Sequence, residues 1–250
     1  MKRYLYLSVA VLLFLTMACQ PKTKPVAPNK TLAFIGTYTQ NEGFVDGKGA
    51  GVLIYETGPK AADWKLLGSF ADIINPSFVC LSNTHPIIYA VSEQGPDVAA
   101  PKSVIKVIQY DPESFEMTVL QTVSAIGDAP CYISTDKEGR FLFVANYVSG
   151  NVVQYAIEKE GRLQPGISAQ HLGKGPHSRQ EGPHAHYIRQ HPTAELVYAI
   201  DLGIDQIIRY RPGNKGLEAM DTVHTETGSG PRHMVWHPNG TSAYILHELT

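Results

Sequence analysis

Three histidines, His184, His186 and His191, fall within eight residues of one stretch, EGPHAHYIRQHP at 181–192. Further along stand Arg232, in GPRH, and Glu248, in HEL. An imidazole titrates near neutrality and can take a proton from water. A guanidinium stays charged and offers a planar fork of donors to a carboxylate or a developing oxyanion. A carboxylate can orient the imidazole or act as the base itself. His184 as base, Arg232 as clamp and Glu248 in either carboxylate role therefore make a candidate hydrolytic set, provided the chain brings them together.

The histidines also raise the question of a metal. An H-x-H pair on a strand sets two imidazoles close together, and nine of the ten histidines lie between His171 and His247. No Cys pair and no H-x-x-x-H helix accompanies them, and His191 and His237 each precede a proline in an expected turn. The expectation is a site without metal or cofactor.

What could position these residues is a repeat. Four segments share a proline, an alternating strand, a polar turn and a second apolar run that closes on a polar residue. They begin at Pro76, Pro130, Pro183 and Pro231, roughly fifty residues apart. Between them lie further strand candidates, VIKVIQYD (104–111), NVVQYAIE (151–158) and QIIRYRP (206–212), and no stretch shows capped helical periodicity. A period near fifty with about four short strands per unit predicts an all-β fold, a β-propeller of four-stranded antiparallel blades. Residues 31–250 hold between four and five such units, so the expectation is an open arc from the N-terminal part of a longer protein.

In a propeller the inner strands of neighbouring blades converge on a central channel, which would let His184 of one unit meet Arg232 and Glu248 of the next. The repeat also aligns Glu93, Asn146 and Asp201 with Glu248, at the ends of second strands and near one rim, where they are expected to contact substrate or to tie strand ends to neighbouring blades. Cys131, directly after Pro130, takes the place of Arg232 and reads as a neutral wall of the channel. His186, two residues beyond His184 in an extended segment, reads as facing the same side, as a substrate contact or a packing residue.

At 250 residues and 43% hydrophobic the chain can bury a sizeable core. A net charge of −2 with scattered Lys and Arg argues against nucleic acid and for a small ligand. Residues 1–19 have a Lys2-Arg3 start, an apolar run to Leu15 too short to span a bilayer, and Ala18 before Cys19. That pattern resembles a bacterial lipoprotein signal, lipidated at Cys19, and predicts an exported protein in the periplasm or cell envelope. The lipid would be its only attachment to the membrane. Residues 20–30, rich in Pro and Lys, read as a solvated tether ahead of the folded domain at 31–250. Cys80 and Cys131 read as small core or pocket residues and not as a bridge.

Together IGTYT, PSFVCLS with YAVSE, FLFVANYVSGNVVQY, RQEGPHAH, DLGIDQIIRY and GPRHMVWHPNG with AYILHEL resemble the lactonase family of seven-bladed β-propellers. That family holds the propeller-type 6-phosphogluconolactonases and the related carboxy-muconate cyclases. The resemblance implies metal-free lactone hydrolysis by a monomer acting on a small-molecule lactone, with His184, Arg232 and Glu248 catalytic. Asn146, Tyr147, Arg179, Gln180, Asp201 and Asp205 lie in the family-like stretches ANY, RQ and DLGID, either as ligand contacts, with Arg179 foremost, or as structural ties between neighbouring blades. The competing expectation is a non-catalytic propeller that binds carbohydrate or protein at its rim.

Overall fold

A computed structural model describes residues 31–43, 45–95 and 103–250. The expected signal, Cys19 and the tether lie outside the described residues. Five antiparallel sheets follow one another along the chain. The first has three strands, β1 (Leu32–Gly36), β2 (Val52–Glu56) and β3 (Lys65–Phe70). The next three have four strands each. They are β4 (Val79–Leu81), β5 (Ile87–Val91), β6 (Val104–Tyr110) and β7 (Met117–Ser124); then β8 (Pro130–Thr135), β9 (Phe141–Asn146), β10 (Asn151–Ala156) and β11 (Ile167–Gln170); then β12 (Ala185–Gln190), β13 (Val197–Asp201), β14 (Gln206–Gly213) and β15 (Gly216–His224). The last pairs β16 (Pro231–Trp236) with β17 (Ala243–His247). Beside the strands, the described residues hold two short 3-10 turns, at Ala61–Asp63 and Lys159–Gly161.

The sheets are propeller blades. The first strands β4, β8, β12 and β16 stand next to one another in succession, and β1 and β17 do not pair, so the blades form an open arc. Apolar layers fill the space between blades. Tyr89, Val107, Leu142, Val144 and Tyr155 pack together between the second and third sheets, and Phe143, Val152, Tyr187, Ile188 and Ile200 belong to a second layer that runs from the third sheet through the fourth to the fifth. A middle strand is covered on both faces, which is why FLFVAN in β9 is buried throughout. An outer strand is covered on one side at most, and GLEAMDTVH in β15 is exposed along most of its length.

The turn between first and second strands repeats a single device. Ser82, Asp136, His191 and His237 each donate their backbone N–H across the turn, to Ile87, Phe141, Leu196 and Ser242. Their side chains then accept from backbone N–H groups inside it: Thr84 to Ser82, Arg140 to Asp136, Thr193 and Ala194 to His191, Asn239 to His237. An imidazole nitrogen here does the work of an aspartate or serine oxygen.

Strand register corrects the repeat in one respect. Pro130 pairs with Asn146 and Pro231 with His247, but Ala185, not Pro183, pairs with Asp201. Pro183 therefore stands two residues ahead of the place that Pro130 and Pro231 occupy. Each of these three first strands also carries a β-bulge, between Pro130 and Tyr132, between Ala185 and Tyr187, and between Pro231 and His233. The bulged residues are Cys131, His186 and Arg232. Cys131 and Arg232 are equivalent, as the repeat implies, and their counterpart in the fourth sheet is His186 rather than His184.

Candidate active site

Four blades present a first-strand position, and three of them a second position, to one cavity of about 900 Å³. The first is the residue after the blade's leading position: Ser77, Cys131, His186 and Arg232 all line it. The second follows the second strand. Glu93, Tyr147 and Glu248 each donate their backbone N–H to the carbonyl just before the first strand, of Asn75, Ala129 and Gly230 respectively, and all three side chains face the cavity. Leu202 makes the same bond, to His184, and is fully buried. His184 thus shares the place of Asn75, Ala129 and Gly230, all of which have positive φ. Gly230 carries no strain there, and a Cβ on it would lie 2.6 Å from the Leu249 side chain.

Asn146 and Asp201 stand one residue earlier, and there the side chain points into the blade. Both are fully buried and do not line the cavity, contrary to the expectation that they contact substrate. Asn146 donates to the Ala125 carbonyl (3.0 Å) and to Asn151 Oδ1 (3.1 Å). Asp201 Oδ1 accepts from the N–H groups of His184 (2.7 Å) and Gly203 (2.9 Å), and its Oδ2 bonds His171 Nδ1 at 2.6 Å. These residues fix the backbone on which the site is built.

Arg232 and Glu248 do meet. Arg232 Nε lies 2.9 Å from Glu248 Oε2, and Arg179 Nη2 lies 2.5 Å from Glu248 Oε1, so one carboxylate bridges two guanidiniums. Arg179 also donates to the Tyr147 hydroxyl (3.3 Å). The same Arg232 Nε donates to His186 Nε2 (3.0 Å), which leaves the imidazole proton on Nδ1, 3.6 Å from Cys131 Sγ. His233, which sequence reasoning took no account of, also lines the cavity, with its ring edge-on to Tyr132 and to His186. Tyr38, Glu42 and Phe78 were likewise not singled out; the first sheet's loop and the lead-in to β4 bring them in.

His184 is not among the residues that line this cavity. Its Nδ1 donates to the Tyr147 carbonyl (3.0 Å), its ring stacks on Tyr147 at 4.5 Å, and its Nε2 is 3.4 Å from Glu181. The bulge at His186 explains the difference: it breaks the alternation that would have put both histidines on one side. Among the described residues no group of three or more His, Cys, Asp or Glu side chains converges as a metal site.

Burial and charge divide the ionisable groups by role. Burial, reinforced by the Arg232 charge, pushes the His186 imidazole down to about 3. It is neutral at physiological pH and serves as an acceptor for Arg232. Burial pushes Glu93 up, with the Glu42 charge adding to the rise, while the Tyr38 hydroxyl and the Arg232 guanidinium oppose it. Tyr38, raised by burial and by Glu93, stays protonated.

The His186 shift has a stability consequence. Its folded pKa lies below the unfolded value, so the contribution is complete above the ordinary histidine range. It is lost as pH falls from about 6.5 toward about 3. Urea unfolding should show wild-type stability declining across that window by on the order of 1 kcal/mol per pH unit more than in His186→Gln, which keeps an acceptor without a titrating ring. Parallel declines in the two proteins would refute the assignment.

Comparison with known proteins accords with this architecture. Residues 32–250 match the family described as "Lactonase, 7-bladed beta-propeller". The 6-phosphogluconolactonase of Bacillus subtilis (strain 168) is 34% identical over 224 residues, covering 88% of this chain and 60% of the relative. A structure from Bacteroides uniformis, a proposed 6-phosphogluconolactonase, superposes with a TM-score of 0.78 at 31% identity, covering 89% of this chain and 62% of that one. The periplasmic gluconolactonase of Pseudomonas aeruginosa superposes with a TM-score of 0.75 at 28% identity, covering 86% and 61%. The chain thus spans about 60% of the length of the relatives it matches.

Proposed function

Because this chain belongs to the lactonase family of seven-bladed β-propellers, we propose that its cavity hydrolyses a lactone to the corresponding hydroxy acid. The observation that carries the reading is a fixed guanidinium and a half-buried carboxyl of raised pKa facing one cavity, Arg232 and Glu93. Glu93 takes a proton from water as the water oxygen adds to the lactone carbonyl carbon. Arg232 stabilises the charge that develops on the carbonyl oxygen, in a partly enclosed site where such a donor counts for more than in water. The ring C–O bond then breaks, and the departing alkoxide receives the proton from Glu93.

Glu248 holds Arg232 and Arg179 in place, with one carboxylate oxygen on each. His186 sets the second side of Arg232. His184 acts one step back, by holding the Tyr147 ring and carbonyl. Turnover of a panel of sugar lactones, measured with and without chelator, tests the reading. Absence of any turnover would leave a binding module, and loss of turnover with chelator would require a metal.

We propose further that the mature chain begins at a lipidated Cys19 and is held in the cell envelope, on the strength of the apolar run and Met17-Ala18-Cys19. Intact-mass analysis of the protein from membranes of its native host should show a diacylglycerol-sized increment on Cys19. Mature protein recovered from the soluble fraction with an unmodified Cys19 would overturn this.

A further inference from the structure

Glu42 is the one cavity-lining acid among the described residues to which neither the hydrolytic step nor the arginine pair assigns a role. It lies in the loop between β1 and β2, and its place is built. Asn75 donates from Nδ2 to Glu42 Oε1, while Asn75 Oδ1 accepts from the backbone N–H groups of Thr39 (2.9 Å) and Gln40 (3.0 Å). Asn75 is fully buried with φ of 45°, and it also returns a bond to the Glu93 carbonyl. One rigid asparagine therefore ties the Glu42 loop to the strand end that carries Glu93. Elsewhere in the lining Glu248 already bridges Arg232 and Arg179.

We propose that Glu42 sets the substrate class of this site, a polyhydroxylated lactone without a phosphate group, by accepting its hydroxyls and repelling a phosphomonoester dianion. The inference rests on the lactonase reading for its substrate family but not for its sign. A carboxylate is an acceptor only, so it suits the O–H groups of a polyol and has nothing to offer phosphate oxygens. Phosphate recognition relies on cations with donors to spare. A fixed like charge in a partly enclosed cavity disfavours a dianionic ligand by about tenfold or more.

The test compares a six-carbon aldonolactone with its 6-phosphate ester, on wild type and on Glu42→Gln, which keeps the Oε1 acceptor for Asn75 and removes the charge. Wild type should favour the unphosphorylated lactone in kcat/KM by about tenfold or more. In Glu42→Gln that preference should shrink by about the same factor, with the phosphate ester gaining. A wild-type preference for the ester, or a preference unchanged in the variant, overturns the proposal. Should neither lactone be turned over, the hydrolase reading fails, and calorimetric binding of gluconate and 6-phosphogluconate decides the selectivity separately. Tighter, Glu42-dependent binding of gluconate upholds it; tighter binding of the phosphate ester, equal binding, or binding of neither overturns it.

Discussion

Arg232→Ala is expected to lower kcat/KM for lactone hydrolysis by about 10²- to 10³-fold, the effect of removing one oxyanion donor from a partly enclosed site. The loss should fall mainly in kcat, because the interaction strengthens as charge develops on the carbonyl oxygen. Arg232→Lys should recover little of it. Glu248 at 2.9 Å and His186 at 3.0 Å both hold Nε, and a lysine ammonium lacks the coplanar terminal donors that a guanidinium carries beyond Nε. The variant should still fold, since Arg232 is partly exposed and its neighbours Pro231 and His233 keep their pairing across the blade. A thermal melt run beside the kinetics separates the two effects. Near-wild-type turnover in folded Arg232→Ala would remove the oxyanion assignment.

Glu93→Gln carries the second large expectation, a fall in kcat of about 10²- to 10⁴-fold, the usual share of a positioned general base. Its pH dependence is the sharper readout. A base must be ionised, so kcat/KM should fall as pH drops through the Glu93 pKa, and burial raises that pKa above the ordinary carboxylate value. The acid limb should therefore sit higher in pH than an exposed glutamate would place it, and it should vanish from the residual activity of Glu93→Gln. Removing the Glu42 charge should move the limb to lower pH, because that charge adds to the rise. If Glu248→Gln, and not Glu93→Gln, abolishes the limb, the roles of the two glutamates are exchanged.

The sequence by itself determined the blades. Burial of a strand on both faces leaves a continuous apolar run, as in FLFVAN, and covering it on one side leaves a mixed one; both are local signals that survive in one dimension. The recurrence of proline, turn and second strand at about fifty residues then fixes the number of strands per unit. Arg232, Glu248, His186 and Glu93 were also legible as residues of one cavity, because position within a blade repeat decides which end of the channel a residue reaches, and Arg179 was legible through the family resemblance of its stretch.

Only the tertiary structure decided the phase. A bulge adds one residue to a strand and turns every side chain beyond it to the other face, and nothing in PCY, HAHY or PRH announces it. A second misalignment is separate from the bulges: Glu248 corresponds to Tyr147 and Leu202, so Asn146 and Asp201, one position earlier, turn into the blade while Tyr147 and Glu248 turn into the cavity. Pro183, two residues out of step, moved the histidine equivalent to Arg232 from His184 to His186. The division of labour between Glu93 and His186 likewise depends on burial and on the Arg232 charge, supplied by a later blade, and such a field exists only once the chain is folded around it.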